Sequence, residues 1–366
     1  MKNTMKNTTK RRNRLAFVND YMEGAHPSIL EKLMETNMTQ TNGYGLDPIC
    51  ERARDKIRRA CGCPGAEVHF LVGGTQTNAV VIDALLRSYQ GVIAAESGHI
   101  NTHEAGAIEH SGHKVITLPH DHGKITADQI RVFIEDFYGD DTHDHIVMPG
   151  MVYLSQPTEY GTLYSRSELI SIREVCKKYD IPLYVDGARL AYALACPDND
   201  VTLADLASLC DVFYIGGTKC GALFGEAVII PQQNLVPRFF TIMKQHGALL
   251  AKGRILGIQF DALFTDGLYQ RIGEPAIRAA RRIKEILAAH NLQLYFDTPT
   301  NQIFVVIENA RKETLAAYVD FSFWEKLDDD HTVIRFASSW ATRAEAVEQL
   351  DKVLTALEDA APGQNQ

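Results

Sequence analysis

The sequence has no apolar run that approaches the roughly 18 residues needed to cross a membrane, so we expect no integral membrane protein. Basic residues near its start are not followed by an apolar stretch, so we expect no secretory signal. At 45% hydrophobic and 23% charged over 366 residues, the composition excludes a disordered, collagen-like or disulfide-framework protein. We therefore expect a soluble, cytoplasmic protein of about two domains.

The chain also lacks the residue patterns of a metal site. Its seven cysteines are an odd number, which favours reduced thiols, and the only close pair, Cys61 and Cys63, has no partner pair at zinc-site spacing. The histidines occur as short clusters beside Gly, Asp and Thr, where solvated surface histidines are common. We therefore expect no metal. These clusters are His99/His103, His110/His113, His120-Asp121-His122 and His143-Asp144-His145.

Acidic residues outnumber basic ones outside the first 14 residues. That segment carries three Lys, three Arg and no acid, so subtracting its +6 from the net −9 leaves −15 for the rest of the chain. An acidic body argues against nucleic acid as the main partner. We predict that residues 1–14 form a disordered basic tail.

Short apolar runs alternate with amphipathic stretches from about residue 68 to residue 230. This alternation is typical of a mostly parallel sheet with helices on both faces. From about residue 255, long helical stretches accompany three strand-like runs, LQLYFD, NQIFVVIEN and TVIRFAS, which indicates a smaller α+β domain. We predict an α/β fold with a large domain at residues 15–250 and a small C-terminal domain at residues 251–366. The first residues of the large domain can pack on the small domain.

The first candidate site residues lie at the end of the first strand of the predicted sheet, in VHFLVGGTQTNAV. A glycine pair there leads into a helix that opens with Gly74, Thr75 and Gln76, where free N–H groups and hydroxyls suit a phosphate. A tight strand-to-helix turn explains the same glycines equally well.

Two further strand ends carry charged residues. Asp186 follows a buried strand, and Arg189 comes three residues later. Taken alone, this motif is explained slightly better by an internal ion pair between the two residues than by a binding site. Lys219 follows Thr218 in the glycine-flanked turn GGTKCG. A lysine at the ligand-binding edge of a sheet is a candidate for Schiff-base chemistry, although most loop lysines are simply solvated.

The combination of these three strand ends matches the needs of pyridoxal phosphate. The helix N-terminus takes the phosphate, Asp186 keeps the pyridine nitrogen protonated, and Lys219 forms the Schiff base. At this point the chain resembles fold-type-I pyridoxal-phosphate enzymes, and within them the threonine aldolase and aromatic amino acid β-eliminating lyase family.

The resemblance extends over nearly the whole chain and implies further roles. In SGHINTHEAGA, His99 matches the histidine that stacks on the cofactor, and VDGAR places Arg189 near the substrate carboxylate. TVIRFASSW supplies Arg335 as a second carboxylate ligand from the small domain. TNGYGLDP, with Tyr44, matches a segment that reaches the neighbouring subunit's site, and Lys252 falls near a basic residue that binds phosphate across that interface.

The sequence departs from the family pattern in two places. Bacterial threonine aldolases carry Arg-Ser-Asp near the N-terminus, where this chain has Val18-Asn19-Asp20, and we expect Asn19 to contact the substrate. Their Asn-Thr-His-Asn-Gly segment is matched by Gln156–Gly161, which brings Glu159 to the substrate's β-substituent. Glu159, His99 or a water held by either is the expected base.

The resemblance implies a pyridoxal-phosphate-dependent lyase that cleaves a β-hydroxy-α-amino acid, such as L-threonine or L-allo-threonine, to glycine and an aldehyde. The alternatives are a related β-eliminating lyase or aminotransferase-like activity on another amino acid, and a non-catalytic relative that binds the cofactor. The family builds its sites across subunits, so we expect a homodimer at least and a homotetramer by resemblance, with no nucleic-acid or membrane partner.

Overall fold

A computed structural model describes residues 14–360 of the chain. The chain divides into two compact units. The larger unit spans Gly24–Ile272, and the smaller unit combines residues 14–23 with residues 273–360 of the described chain. No helix within the described range is long and apolar enough to cross a membrane.

The helices and strands alternate along most of the chain. The first half contains β1 (Leu15–Ala16), α1 (Pro27–Thr36), α2 (Pro48–Ala60), β2 (Glu67–Leu71), α3 (Gly74–Leu85), β3 (Gln90–Ala95), α4 (His99–Thr102), α5 (Ala107–His110), β4 (Lys114–Leu118), α6 (Ala127–Gly139), β5 (Met148–Ser155), α7 (Arg166–Lys178) and β6 (Leu183–Asp186). The second half contains α8 (Leu190–Leu194), α9 (Leu203–Leu209), β7 (Val212–Gly216), β8 (Glu226–Ile230), α10 (Phe239–Gln245), α11 (Arg254–Leu263), α12 (Leu268–Arg271), α13 (Glu274–Ala289), β9 (Gln302–Glu308), α14 (Asn309–Leu315), β10 (Val319–Asp320), β11 (Ser322–Lys326), β12 (His331–Ala337) and α15 (Ala344–Asp359).

The larger unit is built on a seven-stranded sheet with the order β2-β8-β7-β6-β5-β3-β4. All neighbouring pairs are parallel except those of β8, which runs antiparallel to both β2 and β7. Strands β6, β7 and β8 are buried along their whole length, as expected for strands with helices on both faces. The predicted mostly parallel sheet is confirmed.

The helices that cover this sheet begin at polar caps encoded in the sequence. Thr126 with Gln129, Ser165 with Glu168, and Thr202 with Asp205 form reciprocal capping boxes at the starts of α6, α7 and α9. Each box satisfies two backbone N–H groups that a helix start leaves unpaired. Helix α3 is different: it follows Gly73 and has no side-chain cap among the described residues.

The smaller unit contains a three-stranded antiparallel sheet with the order β11-β12-β9, and a two-stranded parallel sheet of β1 and β10. Its core is apolar and includes Phe17, Ile283, Phe336 and Leu350. The N-terminal segment joins this unit because Leu15 and Phe17 donate backbone hydrogen bonds to Tyr318 and Asp320.

One strand-like run of the smaller unit differs from the prediction. LQLYFD forms a single isolated bridge, Leu294 with Val305, instead of a strand. It still follows β9 through backbone hydrogen bonds, Tyr295 to Phe304 and Val306 to Gln293. The third regular strand is β11, in which Phe323 is 66% exposed. Because β11 lies at the sheet edge and is not buried on both faces, its apolar pattern was weak in the sequence.

Candidate active site

Asp186 lies at the carboxyl end of β6 and is only 4% exposed. Its Oδ1 accepts a hydrogen bond from the Ala188 amide at 2.9 Å. Its Oδ2 accepts from the Tyr153 hydroxyl at 2.7 Å and from Asn78 Nδ2 at 3.1 Å. A buried carboxylate with several donors is held in one orientation, and these donors compensate for the loss of water.

The surroundings keep Asp186 ionised. Burial raises the pKa of this carboxyl, but the positive charge of His99, hydrogen bonds from Tyr214 and Tyr153, and the Ala188 amide lower it, and the net pKa is below the ordinary value. An ionised carboxylate beyond the end of a buried strand is the group needed to hold a protonated pyridine nitrogen.

His99 is held by a carboxylate that the sequence analysis did not identify. Glu104 is 4% exposed, and its Oε1 lies 2.7 Å from His99 Nδ1 and accepts from Asn78 Nδ2 at 2.7 Å. A carboxylate only accepts hydrogen bonds, so Nδ1 of His99 is the donor. This contact fixes the orientation of the imidazole ring and leaves its Nε2 facing away from Glu104.

Glu159 lies next to these groups through the loop that follows β5. Its Oε1 accepts from the Ser155 hydroxyl at 2.7 Å and from the His99 backbone N–H at 3.0 Å. Burial raises the pKa of Glu159, and the Ser155 hydrogen bond lowers it only in part. Ser155 is also the register partner of Asp186, and its Oγ lies 3.3 Å from the Tyr153 hydroxyl.

Six hydrogen bonds connect these groups into one hydrogen-bonded ring, which is completed by the 3.3 Å approach of the Tyr153 and Ser155 hydroxyls. Each of these two hydroxyls donates its single proton to a carboxylate, to Asp186 and to Glu159. The ring joins three residues predicted from the sequence to four that were not predicted. Its members, in order, are His99, Glu104, Asn78, Asp186, Tyr153, Ser155 and Glu159.

The start of α3 lies close to this ring. A Cβ on Gly74 would lie 3.2 Å from the Tyr214 hydroxyl, the group that hydrogen-bonds Asp186. Thr75 is exposed, and Gln76 Oε1 accepts from the Val72 amide at 3.4 Å. The absence of a side-chain cap in this part of the described chain leaves the first N–H groups of α3 available for an anion.

Lys219 lies in a turn that requires its glycines. A Cβ on Gly216 would lie 2.3 Å from the Ala188 carbonyl oxygen, and one on Gly217 would lie 2.6 Å from the Gly225 carbonyl oxygen. Only glycine fits such close backbone approaches. The Thr218 Oγ1 accepts from the Gly225 amide at 3.0 Å, which fixes the turn directly before Lys219.

The same turn is tied to the loop that carries Asp186. The Gly216 amide donates to the Gly187 carbonyl at 3.0 Å, and the Tyr192 hydroxyl donates to the Lys219 carbonyl. Arg189, which was predicted to bind the substrate carboxylate, is half-buried and lies in this loop directly before α8.

Tyr44 and Lys252 are placed next to each other. The Tyr44 amide donates to the Ala251 carbonyl at 3.1 Å, and Lys244 Nζ lies 4.6 Å from the centre of the Tyr44 ring. Lys252 is exposed directly after Ala251. In the described part of the chain, these two predicted site residues are not members of the hydrogen-bonded ring.

Asn19 and Arg335 belong to the smaller unit and are close to each other there. Arg335 donates to Gln302 Oε1 at 2.9 Å and to the Val18 carbonyl at 3.4 Å, next to Asn19. Its guanidinium lies 5.6 Å from the Trp324 ring centre. Asn19 Oδ1 accepts from the amide of Tyr21 at 3.1 Å.

The residues of the larger unit fit pyridoxal phosphate. An uncapped helix start matches its phosphate, an ionised buried carboxylate matches its ring nitrogen, and Lys219 matches its aldehyde. Across residues 14–360 no group of three or more His, Cys, Asp or Glu side chains is arranged to hold a metal ion.

The fold and these residues define the class of fold-type-I pyridoxal-phosphate enzymes. Solved structures of this fold include an aspartate aminotransferase from Thermus thermophilus, with a TM-score of 0.70, 14% identity, and coverage of 97% of this chain and 95% of that one. Residues 17–314 match the beta-eliminating lyase family, and the chain belongs to that family.

The relatives agree with this assignment. A low specificity L-threonine aldolase from Pseudomonas aeruginosa is 32% identical over 339 residues, or 91% of this chain and 95% of that protein. The solved structure of Leishmania major threonine aldolase is 43% identical with a TM-score of 0.90, covering 93% of this chain and 99% of that one. The predicted family, fold class, lyase activity and pyridoxal-phosphate dependence are confirmed.

Sequence signals for the unpredicted residues were present but weak. Glu104 is five residues after His99, and Asn78 lies on the buried side of α3. Glu226 precedes the apolar residues AVII at the start of β8, an acid next to a buried strand like Asp186. The same signal singles out Glu226 as a buried acid at the start of β8.

Proposed function

We propose that this protein is an aldolase that cleaves the Cα–Cβ bond of a β-hydroxy-α-amino acid, such as L-threonine or L-allo-threonine, to give glycine and an aldehyde. The observation that carries the proposal is the hydrogen-bonded ring, which joins an ionised Asp186 to His99 and Glu159. The relatives named threonine aldolase support the substrate class.

When bound, pyridoxal phosphate supplies an electron sink for the electron pair of the breaking bond. The first N–H groups of α3, with Gly74, Thr75 and Gln76, would hold the phosphate, and Thr218 stays a prediction for a further cofactor contact. The carboxylate of Asp186 holds a proton on the ring nitrogen. Because Asp186 is fixed by its hydrogen bonds, no reorganisation of the carboxylate is needed during the reaction. Lys219 is the residue that links covalently to the cofactor.

Substrate orientation depends on Arg189. Its guanidinium binds the amino acid carboxylate by charge-assisted hydrogen bonds, which sets the Cα–Cβ bond in a reactive orientation. Arg335 and Asn19 stay predictions from the resemblance for further substrate contacts. Tyr44 and Lys252 stay predictions for contacts made across a subunit interface.

The β-hydroxyl proton must leave as the Cα–Cβ bond breaks. Two side chains of the ring are suited to accept it, directly or through a water: the Glu159 carboxylate and Nε2 of His99. Burial that raises the pKa of Glu159 makes its carboxylate a stronger base. The Glu104 carboxylate accepts from Nδ1 of His99, so Nε2 is the ring nitrogen that takes up the proton.

We also propose a homo-oligomer, a tetramer by resemblance, in the cytoplasm. Leu30, Met34 and Met38 lie at four-residue spacing on and just after α1 and are 45%, 81% and 88% exposed, which favours burial in an interface. All seven cysteines are free thiols, as expected in a reducing compartment. Sedimentation of the purified protein tests the first point, since a fully active monomer contradicts it.

A coupled assay tests the proposed activity. Purified protein with added pyridoxal phosphate receives L-threonine and L-allo-threonine in parallel, and a coupled reductase reports acetaldehyde. Release from either substrate supports the proposal, and the ratio of the two rates reports stereochemical preference. No release from either, in protein that holds its cofactor, contradicts the proposed substrates.

A further inference from the structure

A further buried carboxylate, Glu226, lies at the edge of the seven-stranded sheet where Asp186 and the Lys219 turn are found. Because β8 runs antiparallel to its neighbours, its first residue lies at the edge where the carboxyl ends of the other strands meet. Glu226 is the register partner of Leu71, where β2 ends before the start of α3, and of Gly216, where β7 ends before Lys219. It therefore lies between the proposed phosphate turn and the lysine turn.

The side chain of Glu226 contacts the lysine turn directly. Glu226 is 3% exposed, and its Oε2 accepts a hydrogen bond from the Gly217 amide at 3.0 Å. Thr218 is a second hydrogen-bond partner of this carboxyl. Both partners lie within two residues of Lys219, so the carboxyl group is fixed against the segment that carries the lysine.

The charges around Glu226 connect it to Lys219. Burial raises the pKa of Glu226 to about 8, although hydrogen bonds from Thr218 and Gly217 and the positive charge of Lys219 lower it. The charge of Glu226 therefore depends on pH and on the charge of the lysine. The other titratable groups that interact with Glu226 are Asp186 and Tyr184 from β6, Tyr214 from β7, and Tyr269 from α12.

The hydrogen bond to Gly217 does not by itself explain an acid at this position. A glutamine has the same shape and an oxygen that accepts from the same amide, without the free-energy cost of burying an ionisable group. The free-energy cost of burying the Glu226 carboxyl is explained if its ionisation contributes to the chemistry of Lys219. We propose that Glu226 is a positioning residue that sets the protonation state of the Lys219 nitrogen, its carboxylate form stabilising the positively charged nitrogen.

The test is a pH titration of the holoenzyme's absorbance, which reports protonation of the Schiff-base nitrogen without turnover. The inference rests on the proposed function, because it requires Lys219 to link to the cofactor. In Glu226→Gln, loss of the negative charge destabilises the protonated nitrogen. We expect the midpoint to fall by roughly 1 pH unit, the size typical of a nearby opposite charge.

Glu96→Gln is the matched control. Glu96 follows β3 at the same edge of the sheet but is exposed, so the same charge change is screened by solvent. We expect its midpoint to equal that of the wild type. The inference is overturned if Glu226→Gln titrates with the same midpoint as Glu96→Gln. It is also overturned if none of the proteins titrates up to the highest pH that they tolerate.

Two further measurements separate the possible failures. Borohydride reduction followed by peptide mass spectrometry tests whether the cofactor is attached to Lys219. Its absence from that peptide contradicts the proposed role of Lys219, whereas attachment with an unchanged midpoint contradicts only the role of Glu226. Glu226→Ser, a smaller uncharged variant, must lower the midpoint as well, and it replaces Glu226→Gln if that variant does not fold.

Discussion

Replacing Glu104 with glutamine removes one buried negative charge beside His99 and leaves the shape of the site unchanged. The wild-type Oε1 receives both hydrogen bonds, from His99 and Asn78, each at 2.7 Å. A glutamine oxygen accepts the same two bonds. Its NH₂ group takes the position of Oε2, which has no partner among the described residues. The variant therefore tests the charge and not the presence of a hydrogen bond.

The expected loss follows from the change in that interaction. A hydrogen bond to a charged group contributes about 1.5–3 kcal/mol, against about 1 kcal/mol for a neutral one, and the buried amide N–H groups add a cost of about 1–3 kcal/mol. The amide cost falls on folding stability, so the hydrogen-bond difference alone, about 0.5–2 kcal/mol, predicts a fall in kcat/KM of roughly 2- to 30-fold, since about 1.4 kcal/mol corresponds to tenfold.

The assay is kcat/KM for aldehyde release, measured at one fixed pH. Glu109→Gln is the control, since Glu109 lies five residues further along the chain and is exposed. Thermal unfolding verifies that both variants are folded. If kcat/KM of Glu104→Gln stays within about twofold of that of Glu109→Gln, the charge of Glu104 does not act through His99.

Three other predictions concern single residues. Lys219→Ala should abolish turnover and leave no cofactor attached after borohydride reduction, and turnover at the wild-type rate contradicts its role. Glu159→Gln keeps the oxygen that accepts from Ser155 and loses the base, so kcat should fall about 100-fold or more, and an unchanged kcat excludes Glu159 as the proton acceptor. At His290, burial lowers the pKa, but the Glu358 and Asp351 carboxylates at 2.8 Å raise it to a net value above the ordinary one. The resulting stability, about 1 kcal/mol at most, is present below about pH 6.5 and is lost as pH rises through the raised folded-state pKa. Thermal unfolding of His290→Gln should therefore show its largest deficit at low pH, and a deficit that does not vary with pH contradicts this assignment.

The sequence predicted the sheet of the larger unit well because most of its strands are buried and apolar along nearly their whole length. Asp186 and Lys219 could be found for a related reason, since each is a charged residue that follows such a strand. Periodicity fails where that burial ends. LQLYFD, with only one bridge to Val305, and the edge strand β11 were therefore assigned incorrectly or missed.

The hydrogen-bonded ring could be predicted only in part. Three of its members were identified from motifs, but the contacts between them depend on side chains from four separate segments of the chain. Glu104 and Asn78, 26 residues apart, meet only when α3 packs beside the loop between α4 and α5. No local pattern encodes such a contact, and the carboxylate that fixes His99 therefore became evident only in three dimensions.

Cleavage of the Cα–Cβ bond at this site is tested by identifying the products that form from L-threonine and L-allo-threonine. We would follow each reaction of the holoenzyme by proton NMR, which distinguishes glycine and acetaldehyde from 2-oxobutanoate. We expect glycine and acetaldehyde in equal amounts from at least one substrate, and neither product with Lys219→Ala. Formation of 2-oxobutanoate with release of ammonia, and no glycine, would instead show elimination of the β-hydroxyl group and contradict the account.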